Sequence, residues 1–490
     1  MSRLQLKPNV SIIHSLRSIG YSLDISIADI LDNSITASAK NIHIDFEIQS
    51  DTKDIHLAIV DDGLGMDFFQ LQQAMTLGSK DPNQNRDMDD LGRFGLGLKT
   101  ASFSQCKCLT LISKQAENIC GLQMDLDENE RHQDWGVREL STSEMQSFLG
   151  FERLAECASG TLVAWRKCDR LLDGFENSSL TDEEFANQGY EKFATLHTHL
   201  GLVFHRWLKP TLAKRKIHIH INNRVVEAID PFAKKALATQ EHEKESIGSG
   251  ETQITIQAFT LPHHSKCSKQ EYDANSLGDY VATQGFYVYR NDRLLIGGDW
   301  FRLHPKQELS KLCRVAIDLP NTLDHQWKID VKKSTVELPL EIKQYLKGFI
   351  LRFVAGSKRV YTHRGFRQKQ DHVPFWDRVV DKNLFYYAIR TEHPMIQNFM
   401  EGLDVVQQQD FQQLLSLIAE YLPKDQIFAD LGQNPQGFSA QWKDAEIVAK
   451  LNSQYQLCKD TMSKAQFIEL MQQVQPFNQL SGSLEALLDA

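Results

Sequence analysis

The sequence lacks several features that would fix its class at once. No apolar run approaches the roughly 18 residues of a membrane helix. The opening residues MSRLQLKPNVSIIHSLRSIG have no long apolar core ending in a small-residue cleavage site. Neither a membrane partner nor a secretory leader is therefore expected. The eight cysteines include no C-x-x-C pair, which leaves a zinc ribbon without ligands and reads as reduced, cytoplasmic thiols. An excess of positive charge is also missing: 54 Lys and Arg face 64 Asp and Glu, a formal net charge of -10. That excludes a wholly basic nucleic-acid coat but not a local basic patch. With 41% hydrophobic and 24% charged residues, the composition is that of ordinary globular domains, not of a disordered, collagenous or coiled-coil chain. At roughly 100–200 residues per domain, the 490 residues predict two to four domains.

Periodicity predicts a mixed α+β chain. Ile12, Ile13, Leu16 and Ile19, then Leu23, Ile27, Ile30 and Leu31, recur mostly at three or four, giving helices within 11–40 broken near Gly20. N-I-H-I-D-F-E-I (41–48) alternates with period two, and D-I-H-L-A-I-V-D (54–61) forms a second strand that runs into the turn D-D-G-L-G-M. A helix over 67–77, a polar loop over 78–91 and strands at C-L-T-L-I-S and N-I-C-G-L-Q-M-D-L follow. A long polar stretch then leads to about residue 159 and the strand G-T-L-V-A-W-R-K (160–167). Residues 182–208 read as helical, 216–229 as a hairpin and 235–252 as a charged loop or helix edge. I-T-I-Q-A-F-T-L, G-F-Y-V-Y-R-N and R-V-A-I-D-L-P read as strands, and from Pro339 the pattern is helical to the end. Charge shifts there. Residues 341–370 hold eight basic side chains against one acid, whereas 401–490 hold twelve acids against five lysines.

Three clusters carry chemistry. In Asp29-Ile30-Leu31-Asp32-Asn33-Ser34, Asp29 and Asn33 lie four apart on one helical face. A carboxylate one turn from an amide oxygen suits a water-activating base beside a ligand of Mg²⁺, an ion that keeps several waters and needs few protein ligands. In Asp61-Asp62-Gly63-Leu64-Gly65-Met66, a strand-end carboxylate can accept a hydrogen bond from an exocyclic amine, and the glycines let backbone approach a planar ring. In Gly92-Arg93-Phe94-Gly95-Leu96-Gly97-Leu98-Lys99-Thr100, loop N–H groups and a helix N-terminus can cradle phosphates, with Lys99 adding charge. Each cluster alone is weak. D-x-G-x-G is a common turn, and G-x-x-G-x-G also occurs in dinucleotide folds. No short strand–turn–helix unit with an acid about 20 residues on fits that second reading here. The signal is the three clusters in order within about 75 residues.

That ordered set resembles the GHKL ATPase superfamily: gyrase B-type topoisomerases, ninety-kilodalton heat-shock chaperones, sensor histidine kinases and MutL. The runs I-A-D-I-L-D-N-S-I-T-A-S-A (27–39), L-G-R-F-G-L-G-L-K-T-A-S-F-S (91–104) and Y-V-Y-R-N-D-R-L-L-I-G-G (287–298) are most similar to its MORC-like branch. The resemblance covers roughly residues 11–340. It implies an α+β architecture, with a Bergerat-type α/β sandwich ATPase domain over 1–180 and a transducer-like α/β domain over 181–340; the residue pattern adds a helical region over 341–490 with a basic neck and acidic tail. The resemblance implies ATP and Mg²⁺ as ligands. Asn33 matches the Mg²⁺-binding asparagine, and Asp61 matches the aspartate that reads the adenine amine, with Gly63, Gly65 and Met66 beside it. Gly92, Gly95, Leu96, Gly97, Leu98, Lys99 and Thr100 match the phosphate-binding end of the ATP lid, and Thr161 matches a threonine near the adenine. Asp29 stands where many relatives have a glutamate general base. The side chain is one methylene shorter, which implies a slow or partner-stimulated ATPase. In such relatives a transducer lysine reaches the γ-phosphate. Lys332 or Lys333 of W-K-I-D-V-K-K-S matches it, Lys333 being preferred.

The implied activity is an ATP-dependent homodimerisation switch that clamps or remodels DNA, within a prokaryotic restriction or defence system beside a partner nuclease or helicase. A chaperone-like scaffold with little turnover is the alternative. A histidine-type protein kinase fits less well, because only 28 residues precede Asp29 and His14 is their one histidine. The pairs His218/His220 and His263/Cys267 lack the further ligands a zinc site needs. The basic neck, interleaved with Phe349, Phe353, Tyr361 and Phe366, suits nucleic-acid phosphates as well as it suits a solvated helix face.

Overall fold

The computed structural model describes residues 17–18, 20–76, 97–171, 180–210, 216–263, 266–323, 327, 337–362, 373–381, 384–424, 426–427, 444–459, 462–474, 476–477, 480 and 484–488. The expected helix before Gly20, the 78–91 loop, Gly92, Gly95, Leu96, Lys332 and Lys333 lie outside them. The chain divides into two compact units, Met1–Ser357 and Lys358–Ala490.

The first unit begins with helix α1 (Leu23–Thr36), capped by Ser22, whose side chain accepts from the Ile25 N–H. Its Ile27, Ile30 and Leu31 are at most 1% exposed, a burial that contributes about 1.5–3 kcal/mol per side chain. Strands β1 (Asn41–Gln49) and β2 (Asp54–Asp61) follow, then α2 (Phe68–Met75), α3 (Gly97–Gln105), β3 (Cys108–Gln115) and β4 (Asn118–Asp125). The next residues, read from sequence as a polar stretch, instead form α4 (Leu126–His132), the short strand β5 (Arg138–Glu139), α5 (Thr142–Met145) and α6 (Phe151–Glu156) before β6 (Ser159–Arg166). These helices are too short to show a periodic apolar face, but α5 starts on a capping box between Ser141 and Glu144. Helices α7 (Asp182–Ala194), α8 (Leu196–Val203) and α9 (His205–Leu208) lead to the hairpin β7 (His218–Ile221) and β8 (Arg224–Val225).

These strands form one sheet in the order β5-β4-β3-β6-β2-β1-β7-β8. All neighbours are antiparallel except β1 and β7, which run parallel from Asn41↔His218 to Ile44↔Ile221. Alternate residues of the central strands serve two cores. Leu57, Ile59, Val163 and Trp165 pack with α1 and α8. Val60, Leu162 and Ala164 pack on the opposite face with Met145, Phe151 and Leu154. Burial on both faces is why β2 and β6 are nearly continuous apolar runs.

A second sheet begins where a charged loop was expected, with β9 (Gln240–Glu241) and β10 (Glu245–Ile247). It continues through β11 (Ile254–Thr260), β12 (Gly285–Arg290), β13 (Arg293–Asp299) and β14 (Cys313–Leu319). The order is β10-β11-β14-β12-β13, with β9 on β11. Helix α10 (Lys269–Ser276) precedes β12. Helix α11 (Leu340–Thr362) lays Ile342, Leu346, Phe349 and Ile350 on a core with Ile256, Phe286, Val315 and Trp300. The spacing of four, three and one is one helical stripe.

The second unit is not wholly helical, as the sequence reading had it. Trp376–Asp381 and Leu384–Ile389 pair antiparallel as β15 and β16. Both runs, W-D-R-V-V-D and L-F-Y-Y-A-I, are rich in β-branched and aromatic residues, which fit a pleated surface better than a helix. Helices over Pro394–Met400, Val405–Glu420, Asp444–Cys458, Lys464–Met471 and Leu484–Leu488 accompany them, with a small core of Ile447, Leu451, Phe467, Met471 and Phe477.

Candidate active site

The site is built at the C-terminal end of β2. Asp61 is the last residue of that strand and 5% exposed. Its Oδ2 accepts from the Ser34 hydroxyl at 2.7 Å and its Oδ1 from the Gly63 N–H at 2.9 Å. Burial pushes its carboxyl above the usual carboxylate range, while the Ser34 and Gly63 hydrogen bonds pull the other way. Across the ladder, Asp61 faces Thr161 of β6. The Ser113 hydroxyl donates to the Gly160 carbonyl at 2.9 Å and accepts from the Met66 N–H at 2.8 Å. Its remaining bond, 3.0 Å to Thr161 Oγ1, therefore has Thr161 as donor. The turn after β2 is thus tied to β3 and β6 through one hydroxyl.

Two glycines are required by contact. Gly65 has φ +66°, and a Cβ there would lie 2.0 Å from the Lys114 carbonyl oxygen. A Cβ on Gly160 would lie 2.1 Å from the Asp61 carbonyl oxygen. Gly63 is tight against the Ala37 carbonyl oxygen, at 2.8 Å. By contrast, a Cβ on Gly97 meets nothing within 4 Å.

On α1, Asp29 and Asn33 differ in environment although they share a face. Asn33 is exposed, with its Nδ2 donating to the Asp29 carbonyl at 3.3 Å. Its amide oxygen is a fitting donor for a hydrated Mg²⁺. Asp29 is 3% exposed and Asp32 1%. Arg293, the first residue of β13, donates from Nη2 to Asp29 Oδ1 at 3.1 Å and from Nε to Asp32 Oδ1 at 2.7 Å. Lys99 opens α3 but is 2% exposed, its ammonium donating to the carbonyls of Ala74 and Thr76 at 2.7 and 2.8 Å. Burial brings its pKa down to about 8. Thr100 donates to the Gly97 carbonyl at 3.3 Å, while Met66 and Leu98 pack against the main core.

Comparison with known proteins fits this geometry. The family of histidine kinase-, DNA gyrase B- and HSP90-like ATPases matches residues 21–161, a span that includes Asp29, Asn33, Asp61, Lys99 and Thr161. The N-terminal domain belongs to this ATPase family. The chain is also similar to the ATPase morc-1 of Caenorhabditis elegans, 33% identical over 113 residues, which are 23% of this chain and 12% of that protein. The similarity is thus confined to a small part of the relative's length.

Within the ATPase domain, the structure brings Asp61, Gly63, Gly65, Met66 and Thr161 around one strand end, and puts Asp29 and Asn33 one turn apart on α1. Three further residues had no role in the sequence reading. Ser34 carries a hydroxyl directly onto Asp61, and its adjacency to Asn33 was the one available signal. Ser113 sits in an apolar strand, C-L-T-L-I-S, with nothing local to mark it. Arg293 lies 261 residues from Asp32, and only the fold unites them. Of the other candidates, no group of three or more His, Cys, Asp or Glu able to hold a metal occurs among the described residues. On α11, Lys343 and Lys347 are exposed, whereas Arg352 is paired with Glu245 at 2.9 Å. No helix among the described residues is long and apolar enough to cross a membrane.

Proposed function

We propose that this protein is a Mg²⁺-dependent ATPase that uses nucleotide binding to drive closure of two copies of the chain on DNA. The observation that carries the nucleotide reading is the Asp61 carboxylate, buried at a strand end with one hydroxyl and one amide aimed at it and glycine backbone on both sides. Two donors leave lone pairs on this carboxylate for an exocyclic amine, and Gly63 and Gly65 keep the approach clear for a flat ring. Thr161 lines the same end from β6. Asn33 would hold Mg²⁺, which supplies positive charge to the polyphosphate when bound. Asp29, one turn away, would orient the attacking water and accept its proton. Gly97, Leu98 and Thr100, at the N-terminus of α3, would face the phosphates, where backbone N–H groups and the helix dipole favour anions. Lys99 would join them on leaving the carbonyls of Ala74 and Thr76. Gly92, Gly95 and Leu96 belong to the same run in sequence, and Lys333 or Lys332 would supply the lysine for the γ-phosphate.

The DNA output is supported by likeness to the MORC branch and by the exposed Lys343 and Lys347 on α11. The seven described cysteines are free thiols, in keeping with a reducing cytoplasm. A partner nuclease or helicase in a defence system belongs to the same proposal. The direct test is phosphate release by the full chain and by Asp29→Asn. The wild type should turn over slowly and the variant about 10²–10⁴-fold more slowly still, with ATP affinity retained. Equal turnover in both would remove Asp29 from the reaction. Size-exclusion with a non-hydrolysable ATP analogue, with and without duplex DNA, tests closure. A chain that stays monomeric in every condition does not clamp.

A further inference from the structure

The reach of Arg293 across the first unit has no counterpart in the sequence reading. Arg293 follows the two-residue turn Asn291-Asp292 of the β12–β13 hairpin, where both residues have positive φ, 49° and 63°. Asn and Asp tolerate that conformation, which makes a tight turn of the kind that matches strand twist. The tip is fastened to α9. Trp207 Nε1 donates to the Asn291 carbonyl at 3.2 Å, and Arg206 binds Asp292 at 3.3 Å and also Asp318. The Arg206 guanidinium lies 3.5 Å from the Tyr289 ring centroid, and His205 is 2.9 Å from the Tyr289 hydroxyl. Arg293 therefore leaves a rigid turn at a fixed place, with its guanidinium 5.9 Å from the Phe204 centroid. His199 of α8 faces the same group and is held neutral, burial and then the Arg293 charge pushing its pKa down to about 4.

The trio Asp29, Asp32 and Arg293 buries two negative charges and one positive. Such clusters are poor sources of net stability, because desolvation offsets the attraction, and apolar packing would hold the two sheets together as well. What this trio adds is direction. A carboxylate held at one oxygen by a guanidinium has a fixed orientation. We infer that Arg293 is a positioning residue for ATP hydrolysis: it holds the Asp29 carboxylate, so that the second sheet must be docked for the base to be competent. The inference rests on the reading of Asp29 as the base. A fork that spans two carboxylates is a property of arginine that lysine does not share.

The test uses the full chain as wild type, R293A, R293K, D32N and the R293A/D32N double variant, measuring ATP turnover and the affinity for a fluorescent ATP analogue. R293A should lose about tenfold or more in kcat with affinity kept within about threefold. R293K should recover only part of the loss. The double variant should recover part as well, because one of the two uncompensated carboxylates is gone. A kcat for R293A within about twofold of wild type, or an affinity that falls in step with kcat, overturns the positioning role. If R293A does not fold, R293K decides, and full wild-type kcat in that variant is the overturning result. A wild type that binds no ATP and releases no phosphate overturns the ATPase reading and this role together, whereas an active wild type with an indifferent Arg293 overturns this role alone.

Discussion

The ATPase domain keeps Asp61 and the Asp29/Asp32 pair out of water, and it does so in opposite ways. Asp61 is satisfied by neutral donors, the Ser34 hydroxyl of α1 and the Gly63 amide of the turn after β2. Asp29 and Asp32 are compensated by a full positive charge brought from another sheet. The first arrangement leaves a carboxylate whose proton affinity is raised and whose lone pairs suit a neutral amine. The second leaves carboxylates whose orientation depends on distant structure. On the proposed reading of these residues, recognition and reaction have different electrostatic surroundings within one helix and the strand beside it. A rigid local network suits a group that only reads a ring, whereas a long-range ion pair suits a group whose work is conditional.

Three measurements sharpen or break this contrast. The largest effect is expected for Asp61→Asn. Loss of the carboxylate should weaken binding of a fluorescent ATP analogue about 30-fold or more, on the order of 2–3 kcal/mol, while Asp32→Asn changes it less than about threefold. Equal losses in both would mean that the two positions do not differ in role. A smaller effect is expected for Ser34→Ala, which removes one of the two donors to Asp61. A loss of about 1–2 kcal/mol in ATP affinity is expected, with kcat unchanged at saturation, and a drop in kcat instead would tie Ser34 to the reaction. The smallest effect is one of stability and pH. The folded chain holds the Asp61 proton more tightly than the unfolded chain does. Stability therefore falls as pH rises from the ordinary carboxylate pKa of about 3.9 through the raised value, and the loss is complete above it. Asp61→Asn, neutral throughout, should melt higher than wild type at pH 7 without nucleotide, with a smaller margin near pH about 4. A margin independent of pH would show that Asp61 is not buried as a charge.

Much of this was legible in the chain and some was not, for physical reasons. Strands β1, β2, β3, β4 and β6 were visible because period-two alternation or a short apolar run is a local property. The turn D-D-G-L-G-M was visible because glycine marks the close backbone approach that Gly65 makes to Lys114. Local pattern did not reveal α4, α5 and α6, since helices of four to seven residues complete at most two turns and show no face. It misled over β15 and β16, where the surrounding helical tail masked two short aromatic runs. It was silent on Arg293, because an arginine after an N-D turn looks like any solvated hairpin tip until the fold puts it against α1.

The parallel pairing of β1 with β7 has a consequence for how the chain is made. Strand β1 leaves the ribosome early, but its outer partner arrives only with residues 218–221, after α7, α8 and α9. Until then one edge of the nascent sheet offers the unpaired backbone groups of a strand with Ile42 and Ile44 on it, a template for intermolecular pairing. Contacts of such long sequence separation form slowly. A fragment cut near residue 180, the expected end of the ATPase domain, would keep the three motif clusters before residue 101 yet present that edge permanently. Production of an isolated N-terminal domain should therefore extend past Val225, so that β1 is paired on both sides.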